Sequence, residues 1–288
     1  MKAWLWGMLG WACLVSGACA QDVWATVTLL RGGPLVIRGS ARLLAAEGSR
    51  LQIGDIVETG PQGLLVVEAE GLRLGLGPST SLMAVPPAAP AADAALAVYV
   101  QRGALKYAAN ASGSTGALQV SGSLLNVVLR DGAAVLLTGP SDAAIFLESG
   151  DAGVYEPLAG LNETLLIRVK AREYYARRAG TQGVVLPRFS PEFLAAVPRP
   201  FTDDLPLRLA RYRGVEVPMK DGPEGAVMEL EHWLDAFPAL RKSLASRPTA
   251  PAASPRGAAG TPRADAGPTT LAAARGTAGV PAVPIAKP

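Results

Sequence analysis

Residues 54–77, GDIVETGPQGLLVVEAEGLRLGLG, alternate apolar and non-apolar side chains on both sides of one Glu-Gly step, and that alternation decides the fold class. A period of two is the mark of a strand with one buried face. With Glu70-Gly71 as a two-residue turn, where glycine takes a positive φ at little steric cost, Ala69 pairs with Leu72, Val67 with Leu74 and Leu65 with Leu76. All six are apolar and share a face. The other face sets Glu68 against Arg73, and Leu64 and Val66 against Gly77 and Gly75. A slip of one residue would mix the faces, so the register is well specified.

The same device recurs along the chain. Arg102-Gly103 would pair Val100 with Leu105 and Val98 with Tyr107. Asp131-Gly132 would pair Leu129 with Ala134, Val127 with Leu136 and Leu125 with Thr138, in a hairpin apolar on both faces and therefore central. A fourth turn falls near Ser149-Gly150-Asp151, and Pro86 to Ala95 reads as a loop between two β halves. The glycines are unevenly spaced, which argues against a solenoid. The expectation over residues 21–161 is a mainly β domain, either a β-sandwich or an irregular β-roll of hairpins.

After Leu161 the pattern changes. Glu163 to Gly180 (ETLLIRVKAREYYARRAG) has helix-forming composition and ends in Arg-Arg-Ala-Gly, although its early LLIRV would also serve to finish the sheet. Ser190 is placed to cap a short helix with Pro191 at its first position and Pro198 beyond its end. Pro223 to Phe237 puts Val227, Leu230, Leu234 and Phe237 on one helical stripe. Residues 162–245 are thus expected to form a small α-helical C-terminal appendage. From Ser246 to Pro288 the composition collapses to Ala, Pro, Gly, Thr and Arg, which cannot bury enough apolar surface to offset its ordering entropy. A disordered tail is expected there.

The first residues carry an address. Lys2, the apolar run Ala3 to Val15 and small residues at Ala18 and Ala20 read as a secretory signal over residues 1–20, cleaved after Ala20 to leave Gln21 first. An uncleaved anchor is the alternative; lipidation at Cys19 ranks lower, because Ser16-Gly17-Ala18 lacks the aliphatic residue such signals use. Both cysteines, Cys13 and Cys19, fall inside this leader, so the mature chain would rely on burial, for which 49% hydrophobic residues suffice. No later segment offers 18 uncharged apolar residues in a row, so no membrane span is expected after cleavage. The tail's Arg247, Arg256, Arg263, Arg275 and Lys287 against Asp265 outweigh the whole-chain charge of +3, which weakens the case for a nucleic-acid surface on the folded part, as does export, and no nucleic-acid partner is expected.

Val27 to Val85 resembles the FecR domain. That family shows a GD.v.TG step, a dG hairpin and then L.lgp.s.l, matched here by Gly54-Asp55, Thr59-Gly60, Glu70-Gly71 and Leu74 through Ser81. Ala97 to about Leu158 is similar to the second half of such domains. Founding members are iron-transport regulators with a cytoplasmic sigma-factor-binding segment, one transmembrane helix and a periplasmic sensor. The leader read above leaves no cytoplasmic segment, so sigma-factor regulation is not expected to carry over. The resemblance implies an exported β domain of the bacterial envelope, used for binding or scaffolding in the periplasm.

Signals for catalysis are weak. His232 sits off the helical stripe and reads as solvent-facing; one histidine without a mature cysteine excludes a Cys-His pair and a multi-histidine zinc site. Asp203-Asp204 and Glu229/Glu231 are the candidate carboxylate pairs for a lytic site, and read better as turn and surface residues. The Arg31-Gly32-Gly33-Pro34 and Gly75-Leu76-Gly77-Pro78 runs open no helix, so neither is a phosphate loop. No cofactor, metal or catalytic residue is assigned, and the chain is expected not to be an enzyme. The sequons at Asn110 and Asn162 carry no weight in a bacterial setting. Arg168 to Arg213 holds ten Lys/Arg against four Asp/Glu, with Tyr174, Tyr175, Phe193, Phe201 and Tyr212 interleaved. Arg168, Lys170, Arg172, Arg177, Arg178, Arg208, Arg211 and Arg213 are the candidate binding face, for peptidoglycan or an envelope protein. The favoured alternative has arginine stems covering the β body and the tyrosines in an interdomain core. A peptidoglycan-associated enzyme, or an activator of one, is the rival function.

Overall fold

The computed structural model describes residues 23–69, 71–88, 93–109, 117–157, 164–223 and Trp233. The strands before the midpoint are β1 (Val23–Arg31), β2 (Leu35–Arg38), β3 (Ala41–Leu44), β4 (Arg50–Gln52), β5 (Ile56–Glu58), β6 (Leu64–Ala69), β7 (Leu72–Leu76), β8 (Ser81–Ala84) and β9 (Leu96–Ala109). Beyond it run β10 (Leu118–Ser121), β11 (Asn126–Leu129), β12 (Ala133–Thr138), β13 (Asp142–Ser149), β14 (Asp151–Pro157), β15 (Thr164–Lys170), β16 (Tyr174–Arg178), β17 (Val184–Leu186) and β18 (Lys220–Asp221).

Two layers result. The first runs β4-β1-β6-β7-β9-β12-β13-β16-β17. The second runs β18-β3-β2-β5-β8-β9-β10-β11-β14-β15. All pairings are antiparallel except β9 with β10. Val27, Leu65, Leu74, Leu105 and Leu136 from the first layer share one apolar core with Val36, Val57, Leu82, Val98 and Val127 from the second. The protein is a mainly β two-layer sandwich, as the alternation requires.

The opening hairpin has the register expected from its sequence. Leu65 faces Leu76, Val67 faces Leu74, Glu68 faces Arg73 and Ala69 faces Leu72, with Gly71 at φ +79°; Glu70 lies outside the described residues.

The other turns differ from expectation. The chain does not reverse at Arg102-Gly103; β9 runs through it without a break. Gly103, at φ +121°, is instead where β9 passes from the second layer into the first, and its α-carbon lies so close to Thr80 that a Cβ would sit 2.4 Å from the Thr80 Cα. Nor do β11 and β12 pair. The Asp131-Gly132 turn is an arch that carries the chain from one layer to the other, and so is Ser149-Gly150-Asp151 between β13 and β14. A turn read from local residues shows that the chain bends, but its partners are chosen by the core on both sides. The two arches stack. A Cβ on Gly132 would meet the Ser149 carbonyl oxygen at 2.1 Å, and one on Gly150 would meet the Asp131 carbonyl oxygen at 2.2 Å.

Thr164 to Gly180 is not a helix, and its early LLIRV does finish the sheet. From Thr164 it forms β15 and β16, joined by a third layer-crossing turn with Arg172 at φ +68°. Val169 and Tyr175 enter the main core, and β14 and β13 supply the neighbours that Leu165 to Val169 and Tyr174 to Arg178 need. Burial of alternate residues outweighs helix propensity here. The sheets therefore continue to Leu186. Helical structure among the described residues is limited to α1 (Pro191–Ala196), two 3-10 turns at Arg199–Phe201 and Leu209–Tyr212, and the single helical residue Trp233.

Helix α1 forms as its sequence reads. The Ser190 hydroxyl accepts from the Phe193 N–H at 3.1 Å, and Pro191 occupies the first turn. Replacing Ser190 with Ala should cost about 1 kcal/mol in urea unfolding; a change within a tenth of that would show that the cap contributes nothing. The helix expected over Pro223 to Phe237 lies outside the described residues apart from Pro223 and Trp233, as do the leader and the tail. Trp233 is fully buried against Ile37, Ile56 and Met83, with Tyr99 edge-on at 6.2 Å between ring centroids.

Candidate functional site

The residues that carry the family resemblance are locks within the fold. Asp55, only 1% exposed, accepts from Arg38 Nε at 2.9 Å and Nη2 at 2.7 Å, and from the Gln52 N–H at 2.7 Å. This fork-to-fork pair ties β2 to the turn that precedes β5. Desolvation opposes the guanidinium charge, but the hydrogen bond to Asp55 dominates and raises the Arg38 pKa. Thr59 Oγ1 donates to the Gly77 carbonyl at 2.6 Å and accepts from the Thr80 N–H at 2.9 Å. Thr80 Oγ1 in turn accepts from the Ala104 N–H at 3.1 Å, beside the layer-crossing glycine. The motif is spent on joining one turn to the next.

The outer face of the opening hairpin is covered by protein. Residues 193–209 lie across it as a strap, with Phe193, Phe201 and Leu205 packed on Leu64, Val66 and Ala104. Gly75 and Gly77 make the seat: a Cβ on Gly75 would lie 2.9 Å from Leu205 Cδ2, and one on Gly77 2.9 Å from Pro198 Cγ. Glu68 and Arg73 stand opposite in register but serve the strap. The buried Glu68 carboxylate accepts from the backbone N–H groups of Arg208 and Leu209 at 2.8 and 3.2 Å, and Arg73 Nη1 donates to the Leu205 carbonyl. Lys106, 1% exposed, donates to Glu148 at 2.9 Å and to the Phe201 carbonyl at 2.8 Å. Sequence reasoning missed these roles. The one available signal was a charge within an apolar run, as Lys106 is within Ala104–Ala109 of β9 and Glu68 within β6.

A third buried acid joins the layers at one end. Glu156 on β14 accepts from the Tyr175 hydroxyl on β16 and from the Gly183 N–H at 3.0 Å. Burial, and then this bond, push the Tyr175 phenol well above its ordinary range. Burial likewise raises the Tyr107 phenol, whose hydroxyl donates to the Arg130 carbonyl at 3.2 Å.

The basic candidates do not form one cluster. Arg168, Lys170 and Arg172 lie on β15 and the turn after it, all exposed, while Arg177 and Arg178 lie on β16 in the other layer. Arg208, Arg211 and Arg213 belong to the end of the strap, where the Leu209–Tyr212 turn lies near β1. Tyr174 is buried in one cluster with Phe193 and Phe201 of the strap, Tyr175 is in the main core, and the Tyr212 hydroxyl donates to Glu47 at 2.8 Å. Arg177 and Arg178 line a groove of about 570 Å³ between α1 and the first layer, together with Asp142, Tyr174, Leu186 and Glu192. Hydrogen bonds from its own N–H and from Ser190 hold the Glu192 carboxyl below its usual range. Asp203 and Asp204 are exposed on the strap; His232, Glu229 and Glu231 lie outside the described residues. Among the described residues no three His, Cys, Asp or Glu side chains are grouped to hold a metal ion, and no helix is long and apolar enough to cross a membrane.

No family model matches the chain, and no curated protein does. Among solved structures, two crystal structures from Parabacteroides distasonis ATCC 8503, each titled "putative anti-sigma factor", resemble it with a TM-score of 0.38. The one solved at 2.50 Å is 12% identical over 49% of this chain and 62% of its own; the one at 1.65 Å is 10% identical over 64% and 92%. The chain thus spans less than two thirds of the first and nearly all of the second.

Proposed function

We propose that this chain is a non-catalytic, FecR-like binding or scaffolding protein of the bacterial cell envelope, exported to the periplasm. One observation carries the non-catalytic reading. The buried carboxylates Asp55, Glu68 and Glu156 are each held by the chain's own backbone N–H groups, an arginine or a tyrosine, and so are committed to the fold. A general acid or base needs a free position facing substrate. The motif residues support the FecR-like reading because Asp55, Thr59 and Thr80 fix successive turns of one β body. The leader composition supports export.

The test is expression of the full tagged chain in a Gram-negative host, followed by osmotic-shock fractionation and mass spectrometry. Recovery in the periplasm with Gln21 as first residue is the expected result; retention in the cytosol with Met1 intact overturns it. The purified protein should release no fragments from labelled peptidoglycan. Turnover that disappears on changing Asp203 and Asp204 to Ala would establish the rival, wall-cleaving function.

A further inference from the structure

One end of the sandwich carries two edge strands. Strand β17 closes the first layer and β15 the second, and among the described residues each pairs with one neighbour only. Glu156 of β14, by holding Tyr175 and Gly183, places both edges at the same end of the molecule. All three side chains of β17 are exposed, Val184 at 53%, Val185 at 36% and Leu186 at 43%, so both faces of the strand keep apolar surface open to solvent. Leu165 and Leu166 on β15, and Phe189 and Leu194 just after β17, are exposed as well. Natural edges are guarded by short length, charge, proline, twist or cover; β15 carries the exposed charges Arg168 and Lys170, and β17 is short, at three residues. Strand β17 contains no charge, and Pro187 follows it rather than interrupting it.

We propose that this end is a docking edge for an extended, acidic-flanked peptide strand of a partner protein, which adds to β17 by main-chain hydrogen bonds. The inference rests on the binding role proposed above and gives it a place and a partner chemistry. Strand addition supplies what the edge lacks: backbone donors and acceptors for affinity, and apolar side chains at alternate positions for fit. Charge selects the partner. Residues 164–188 carry six Lys/Arg and one Glu, so a second copy meeting this end head-on would bring Arg168, Lys170 and Arg172 against their own kind, whereas acidic flanks are attracted. An anionic lipid surface would match the charge but would leave the open backbone of β17 unsatisfied in an apolar medium. Beside Leu186, the groove with Arg177 and Arg178 on its wall, opposite Asp142 and Glu192, gives an acidic side chain a mixed polar seat.

The test uses the full chain and two synthetic peptides in NMR titrations at low salt: acetyl-Glu-Asp-Val-Thr-Val-Thr-Val-Asp-Glu-amide and the same peptide with lysine at its four acidic positions. The acidic peptide should bind saturably, shift the amides of Val184, Val185 and Leu186, and bind at least about tenfold more tightly than the lysine peptide. The double variant Val184→Ser, Leu186→Ser, at exposed positions that leave net charge unchanged, should lose about tenfold in affinity while keeping its circular dichroism. The peptide comparison and the amide map on the unaltered protein stand even if that variant folds poorly. No saturable binding, equal binding of both peptides or shifts elsewhere would overturn the proposal. So would a concentration-dependent dimer abolished in the variant, which would assign the edge to a second copy. Flotation with phosphatidylglycerol vesicles that the peptide cannot compete would assign it to lipid. The purified protein is read without regard to its cellular address, so failure here is distinct from failure of the export test.

Discussion

Asp55→Ala should lower the unfolding free energy by about 3–5 kcal/mol, the usual cost of removing one partner from a buried charged pair. The carboxylate is 1% exposed and answers three donors, two on Arg38 and one on the Gln52 backbone. Its loss strands the Gln52 N–H and leaves a guanidinium whose charge was drawn inward. Arg38 itself retains some solvent contact, with 27% of its side chain exposed, so Arg38→Ala should cost less, and the two changes together less than their sum. Guanidinium unfolding of the four proteins of the cycle measures this. A cost below about 1 kcal/mol for Asp55→Ala, the range of a surface pair, would show that the Gly-Asp step does not lock the fold.

The second large effect is expected at the stacked arches. Gly132→Ala places a methyl group 2.1 Å from the Ser149 carbonyl oxygen, at φ +84°. The oxygen belongs to backbone in the neighbouring arch, so nothing flexible can yield. A loss above about 4 kcal/mol, or failure to fold, is expected, since strain and overpacking act at one atom. Gly214→Ala is the matched control: φ is +71° with nothing within 4 Å of the added carbon, leaving only the left-handed penalty of about 1–2 kcal/mol. If thermal unfolding shows equal losses for the two variants, the arches do not bear on each other as described.

How much of the fold is legible in the sequence depends on how far apart the interacting residues lie. The hairpin through Gly71 and the cap at Ser190 were legible because their partners sit within a dozen residues. The sequence marks turns at Gly132 and Gly150 but does not distinguish an arch from a hairpin, because alternating residues beside a glycine look the same whether the next strand returns in the same layer or crosses to the other. Gly103 misled for a related reason: a glycine needed for close approach to Thr80 resembles one needed for a turn. Residues 163–180 read as a helix because Glu, Lys, Arg and Ala favour one, while the strands that recruit Val169 and Tyr175 are supplied from elsewhere. The strap lay furthest from reach. Glu68 meets Arg208 and Leu209 across 140 and 141 positions, and no local pattern reports such a contact. At the open end the six basic residues were visible as composition; that three apolar side chains of one strand stand uncovered among them required the fold.

Strand β9 is written into both layers, and this has a mechanical consequence. Two plates held only by grease can slide or part; here a single backbone is stitched through each of them, and the stitch is pinned at Thr80. Neither half can loosen without drawing thread from the other, so the molecule should yield to heat or denaturant as one body.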